Sequence, residues 1–221
     1  MEMGVNISSE LPISVQNAMG KLYDDYTNKL KPTLALAESM TKKFPGPILN
    51  ELRAVNDHVS RCFIAGRSED DCLKELQKGH GHLIRAILDC YKTLLIEYDK
   101  KIENFFYQYK DVCIAVVNDG KFLPELTLLH DKAIELTVKA KQTESRSYPE
   151  KEIAYSKYQD AILAFAEVDK YIKKHSKGLA NAKQFARDQS KNNHKFSIYS
   201  ALWGTLFGAI ATLLMKCLIG A

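Results

Sequence analysis

The chain alternates long stretches of helical periodicity with short clusters of breakers. Ile84, Leu88, Tyr91, Leu95, Tyr98, Ile102, Phe105, Tyr109, Val112 and Val116 recur in steps of four and three. That is a 3.5-residue seam on a helix about 50 Å long. A second seam runs through Ala154, Tyr158, Ala161, Phe165, Val168 and Ile172, is interrupted at His175, and resumes at Leu179, Ala182 and Ala186. Ile48, Leu52, Val55, Val59 and Cys62 make a third. Such stripes are packing surfaces. Proline and glycine fall between them, at Pro12, Pro32, Pro45 to Pro47, Gly66, Gly79, Gly81, Asn118-Asp119-Gly120, Pro124, Pro149 and Gly178. The pattern predicts helices over 13–43 (kinked near Pro32), 47–65, 69–117, 122–145 and 149–195. Ser68 ahead of Glu69, Asp70 and Asp71 marks the start of the third. No period-2 strand and no internal repeat is visible, so the expected fold is all-α, an elongated helical bundle.

One stretch departs from the amphipathic pattern. Residues 196–215, FSIYSALWGTLFGAIATLLM, carry no charge, and at helical rise they extend roughly 30 Å, the thickness of a bilayer core. Tyr199 and Trp203 fall where interfacial aromatics belong, and Lys216 can snorkel at the far end. From Lys170 to Lys195 eight basic residues face only Asp188, a net +7, while residues 1–169 carry −4 and Lys216 supplies the last +1 of the total +4. Lys183, Arg187, Lys191 and Lys195 form the part of this collar nearest the span. Basic flanks stay on the cytoplasmic side and meet anionic headgroups favourably. The expected organisation is a cytosolic helical bundle over 1–169, a basic juxtamembrane helical collar over 170–195, and a transmembrane helix over 196–219. This is a single-pass, tail-anchored arrangement in the cytoplasmic (inner) membrane. Within the span Ser200, Gly204, Gly208 and Thr212 recur every four residues, beside Ser197, Ala201, Thr205 and Ala209. Small-residue stripes let helix backbones approach in lipid, so self-association is expected and a closed ring is possible.

Composition adds boundaries. At 221 residues, with 46% hydrophobic and 26% charged residues, the chain suits one folded domain with an appendage. The mild net charge argues against a dedicated nucleic-acid binder. Cys62, Cys72, Cys90, Cys113 and Cys217 show no zinc-like spacing, so they read as free thiols of a reducing compartment. The N-terminus has neither a basic n-region nor an apolar h-region, and no signal peptide is expected.

Catalytic signatures are thin: GxGxxG, Walker, HExxH and GxSxG patterns are all missing. His80 and His82 with Asp89 are a weak metal candidate, and two histidines around a glycine read better as a helix start. No cofactor and no metal is expected. Two segments stand out, Glu51 to Arg61 (ELRAVNDHVSR) and Gly81 to Lys92 (GHLIRAILDCYK). Arg53, Asp57 and Arg61 form an i, i+4, i+8 ladder, and His82, Arg85, Asp89 and Lys92 line the flank of the long seam. Such ladders make inter-helix ion pairs, within the chain or between subunits; the alternative is a polar pocket or channel-lining ring.

Arg53-x4-His58 also fits the RxxxxH signature of HEPN domains, small helical-bundle RNases and nucleotide-binding modules of prokaryotic defence. With one hydrophobic span and no other catalytic equipment, the chain resembles the membrane-embedded, HEPN-like accessory proteins encoded beside the RNA-guided RNase of type VI-B CRISPR systems. ELRAVNDH and GHLIRAILDC carry the resemblance. It implies a HEPN-like bundle acting as an oligomeric membrane pore, with Arg53 and His58 a divergent motif.

Three functions are then expected in order. The first is an antiviral (anti-phage) effector that oligomerises in the membrane and permeabilises or depolarises it. Its partners would be itself, membrane lipids, and a CRISPR effector or infection-derived signal. The second is a HEPN-type RNase with Arg53 and His58 at a composite site. The third is a tail-anchored, non-catalytic scaffold or adaptor.

Overall fold

The computed structural model describes residues 11–43, 45–146 and 150–191, of which 150–152 by their backbone alone. It is all-helical: α1 (Ile13–Asp25), α2 (Lys31–Thr41), α3 (Gly46–Arg61), α4 (Glu69–Gln108), α5 (Phe122–Glu144) and α6 (Glu150–Lys174), with helix again over 176–191. No described helix is long and apolar enough to cross a membrane. The predicted span over 196–219, with Ser200, Gly204, Gly208 and Thr212, lies outside the described residues, as do Lys195 and Cys217.

Local chemistry explains most of the boundaries. Pro32 has no N–H to give the carbonyl of Asn28, and the chain widens into one π turn, Tyr26–Leu30, before resuming as α2. Helix α2 stops at Thr41 because Lys42 turns left-handed (φ 57°) while its N–H still reaches the Glu38 carbonyl at 2.9 Å. Ser68 caps α4, its Oγ accepting the Asp71 N–H at 3.1 Å. Two expectations need correction. The helix start read at His80-Gly81-His82 is not there; α4 runs straight through the two glycines, as the helix predicted from residue 69 does. The same helix ends at Gln108 rather than 117, and Ile114–Val116 form a separate 3₁₀ turn. Past residue 111 the β-branched Val112, Ile114, Val116 and Val117 are poor helix formers. Ile114 and Val117 are buried whereas Val116 is 67% exposed, so the seam does not continue there. Asn118, Asp119 and Gly120 then turn left-handed in succession and lead into α5.

The chain forms two compact units. The first holds the described residues through Asn104 together with Thr127–Lys170; the second holds Phe105–Leu126 and the described residues from Tyr171 onward. In the first, the seam residues Leu88, Tyr91, Leu95 and Ile102 of α4 are buried, as are Ala154, Tyr158, Ala161, Phe165 and Val168 of α6. Tyr91 stacks on Tyr158 with ring centroids 6.1 Å apart, and Tyr98 on Phe165 at 5.9 Å. In the second, Phe122 is fully buried and stacks on Tyr171 at 5.4 Å. The interruption expected at His175 is a helix break, where the ring Nδ1 lies 3.0 Å from the Tyr171 carbonyl oxygen.

Candidate functional site

Helices α3 and α4 form an antiparallel hairpin whose contact face is polar at its centre. Glu51 and His58 are seven residues apart on α3, and Glu75 and His82 seven apart on α4, so each pair lies on one face two turns apart. Antiparallel packing crosses them. His82 Nδ1 lies 2.8 Å from Glu51 Oε2, and His58 Nδ1 lies 2.8 Å from Glu75 Oε2. Arg85 Nε donates to Glu51 at 3.0 Å, Arg61 Nη1 to Glu75 at 2.9 Å, and Lys78 Nζ to the other Glu75 oxygen at 2.7 Å. The two imidazoles stack, centroids 5.2 Å apart. Gly79 permits this approach: a Cβ there would sit 3.3 Å from the His58 Cβ and 3.7 Å from the Val55 carbonyl oxygen.

Electrostatics fix the proton positions. Lys78, His58 and Arg61 together hold the Glu75 carboxyl at about 2 against the opposing effect of burial. Burial also pushes the Glu51 carboxyl upward, but the hydrogen bonds from His82 and Arg85 outweigh it and the net shift is downward. Both carboxylates are therefore ionised acceptors near neutral pH, and each histidine Nδ1 must carry the hydrogen it donates. Chemically the cluster is a pair of carboxylate-oriented imidazoles flanked by two half-exposed guanidiniums, from Arg61 and Arg85.

The expected site residues divide between this cluster and other places. His58, Arg61, His82 and Arg85 converge. Arg53 does not: five residues along a helix is a turn of about 140° from His58, and Arg53 is exposed on a groove between α1 and α3. The RxxxxH residues thus do not form an acid–base pair in this chain. Asp57 is exposed, and its backbone carbonyl accepts from Ser60 Oγ at 2.9 Å. Lys92 bridges Asp89 at 2.8 Å and Glu144 at 2.9 Å, joining α4 to α5, and Tyr158 donates to the other Glu144 oxygen at 2.6 Å. His80, His82 and Asp89 go to three separate partners, since His80 Nε2 lies 2.7 Å from Asp25 Oδ2. Among the described residues no group of three or more His, Cys, Asp or Glu side chains is placed to hold a metal ion. Lys183 is half-buried with Nζ 5.1 Å from the Tyr109 ring centre, and Arg187 and Lys191 are exposed.

The acceptors Glu51, Glu75 and Glu144 were missing from the expected set. For the first two a signal existed, the matching seven-residue Glu-to-His spacing on two consecutive helices. Glu144 had none, because its pairing with Lys92 spans 52 residues. No family model, curated protein or solved structure matches the chain.

Proposed function

We propose that the chain is an anti-phage defence effector of the cytoplasmic membrane that assembles with itself and permeabilises or depolarises the bilayer, as an accessory to an RNA-guided CRISPR effector. One observation carries this reading. The two segments that bear the resemblance, ELRAVNDH and GHLIRAILDC, meet in space: Glu51 of the first binds His82 and Arg85 of the second, and His58 stacks on His82. The uncharged stretch 196–215 and the +7 collar before it supply the bilayer contact that such an effector requires. The pairs that Arg61, His82, Arg85 and Lys92 make within one chain support a role in holding helices together. The conducting path is then formed by the self-associated spans around Ser200, Gly204, Gly208 and Thr212.

The test is a potential-sensitive dye in cells expressing the chain with its effector during infection. Depolarisation is expected with the parent chain and not with the Gly204→Leu, Gly208→Leu double variant, which should also run as a smaller particle in detergent. An unchanged potential with the parent chain would remove the reading.

A HEPN-type RNase is the second reading, and the stacked imidazoles favour it. Two histidines, each oriented through Nδ1, are suited to general acid and general base roles across a phosphodiester, with Arg61 and Arg85 facing the phosphate charge. It predicts that His82→Ala abolishes RNA cleavage as completely as His58→Ala, while Arg53→Ala does not.

A further inference from the structure

The turn between α3 and α4 brings two of the five cysteines together. Cys62 directly follows α3, and Cys72, ten residues on, lies in the first turn of α4. Cys62 Sγ lies 3.6 Å from the Cys72 carbonyl oxygen, and Cys72 Sγ lies 3.7 Å from the Cys62 carbonyl oxygen. This reciprocal pairing sets the two side chains against each other. Burial, and after it the neighbouring Cys72 thiol, push the Cys62 thiol up to about 11. Both residues are buried, yet both line an open groove of about 380 Å³ together with Leu11, Pro12, Phe63 and Arg67. Packing alone asks only for a small apolar side chain at each position. Two thiols side by side at a groove add a chemistry that alanine or valine lacks.

We propose that Cys62 and Cys72 are a reversible dithiol–disulfide pair that exchanges with a low-molecular-weight disulfide entering this groove. In the first step the thiolate of one cysteine attacks a sulfur of the small disulfide. A mixed disulfide forms, the small S–S bond breaks, and one small thiolate leaves and takes up a proton. The thiolate of the other cysteine then attacks the protein sulfur of the mixed disulfide, forms the Cys62–Cys72 bond and expels the second small thiolate. The chain gives up two electrons and two protons, and the small disulfide becomes two thiols. Arg67, exposed on the same groove, suits an entering molecule that carries carboxylates, as glutathione disulfide does. The acid on the groove, Glu69, already accepts from the Ser14 hydroxyl. A thiol held protonated exchanges slowly, on the order of minutes to hours. The new bond fastens α3 to α4 next to Arg61 and one turn from Glu75. This inference stands apart from the membrane reading and rests on none of its residues.

The experiment incubates the reduced, full-length chain in mild detergent with mixtures of glutathione and glutathione disulfide, from fully reducing to fully oxidising. Remaining thiols are alkylated and the chain is digested with trypsin. Cleavage after Arg61, Arg67 and Lys74 places the two cysteines on separate peptides, CFIAGR and SEDDCLK, so the internal bond appears as their linked mass. That mass should rise from undetectable to most of the chain, exceed every pair that contains Cys90, Cys113 or Cys217, and vanish on adding dithiothreitol. At least one of Cys62→Ser and Cys72→Ser should instead stop at a glutathione adduct on the cysteine that remains, which identifies the attacking thiol. The reading on the parent chain needs no variant and stands if a serine variant fails to fold. Three results overturn the proposal: less linked peptide than pairs with the other cysteines at the most oxidising ratio, a linked peptide only after urea has unfolded the chain, or no adduct on either serine variant.

Discussion

The two sides of α3 use charge in opposite ways. Toward α4, His58, Arg61, Lys78, His82 and Arg85 converge on two carboxylates, and Glu75 at the centre is only 6% exposed. Toward α1, Arg53 stands exposed in an open groove beside Asn50 and Asn56, one helical turn from the exposed Asp57. The difference follows from solvent. A charge taken out of water must be paired and hydrogen-bonded or its desolvation is uncompensated, so the packed side of α3 is saturated with partners. The wet side carries no such requirement, and a cation there can stay solvated without a fixed partner. Ladder residues that look alike in a helical projection, Arg53 and Arg61, thereby acquire different roles.

Removing the central acceptor should break this contrast most strongly. Glu75→Gln leaves His58, Arg61 and Lys78 without a counter-charge, and is expected to cost about 3 kcal/mol, a fall of about 8 °C in the thermal midpoint. Gly79→Leu attacks the same side through packing. Even its Cβ would press on His58 at 3.3 Å, and overpacking of this kind costs about 2 kcal/mol, measurable by urea denaturation. Acid provides a graded version. Because the folded Glu75 carboxyl lies at about 2, below its ordinary 4.5, its stabilisation is complete above about pH 4.5 and is lost as pH falls toward 2. The midpoint difference between the parent chain and Glu75→Gln should therefore shrink across that window. On the wet side Arg53→Gln should change stability by less than about 0.5 kcal/mol.

Helix content and seams were legible because period and breakers are local properties. Tyr91, Tyr158 and Phe165 sit buried where a 3.5-residue spacing places them, and Ser68 caps the helix it precedes. What escaped was set by neighbours in space. The helix runs through Gly79 as its period predicts, but why glycine stands there is set by α3, close enough that a Cβ would lie 3.3 Å from that of His58. The tail of the long seam, Val112 and Val116, kept its period in sequence while the backbone unwound around buried Ile114 and Val117. At the site the basic half of each ion pair was visible within a short segment. Glu51 and Glu75 acquire meaning only when two helices run antiparallel and their seven-residue spacings cross.

His58 works with Glu75 on α4 and not with Arg53 on its own helix. A double-mutant cycle between His58→Phe and Glu75→Gln, set beside one between His58→Phe and Arg53→Gln, tests it directly. The first pair should show a coupling of about 1–3 kcal/mol and the second should add within about 0.5 kcal/mol. Coupling between Arg53 and His58 with additivity between His58 and Glu75 would overturn this pairing.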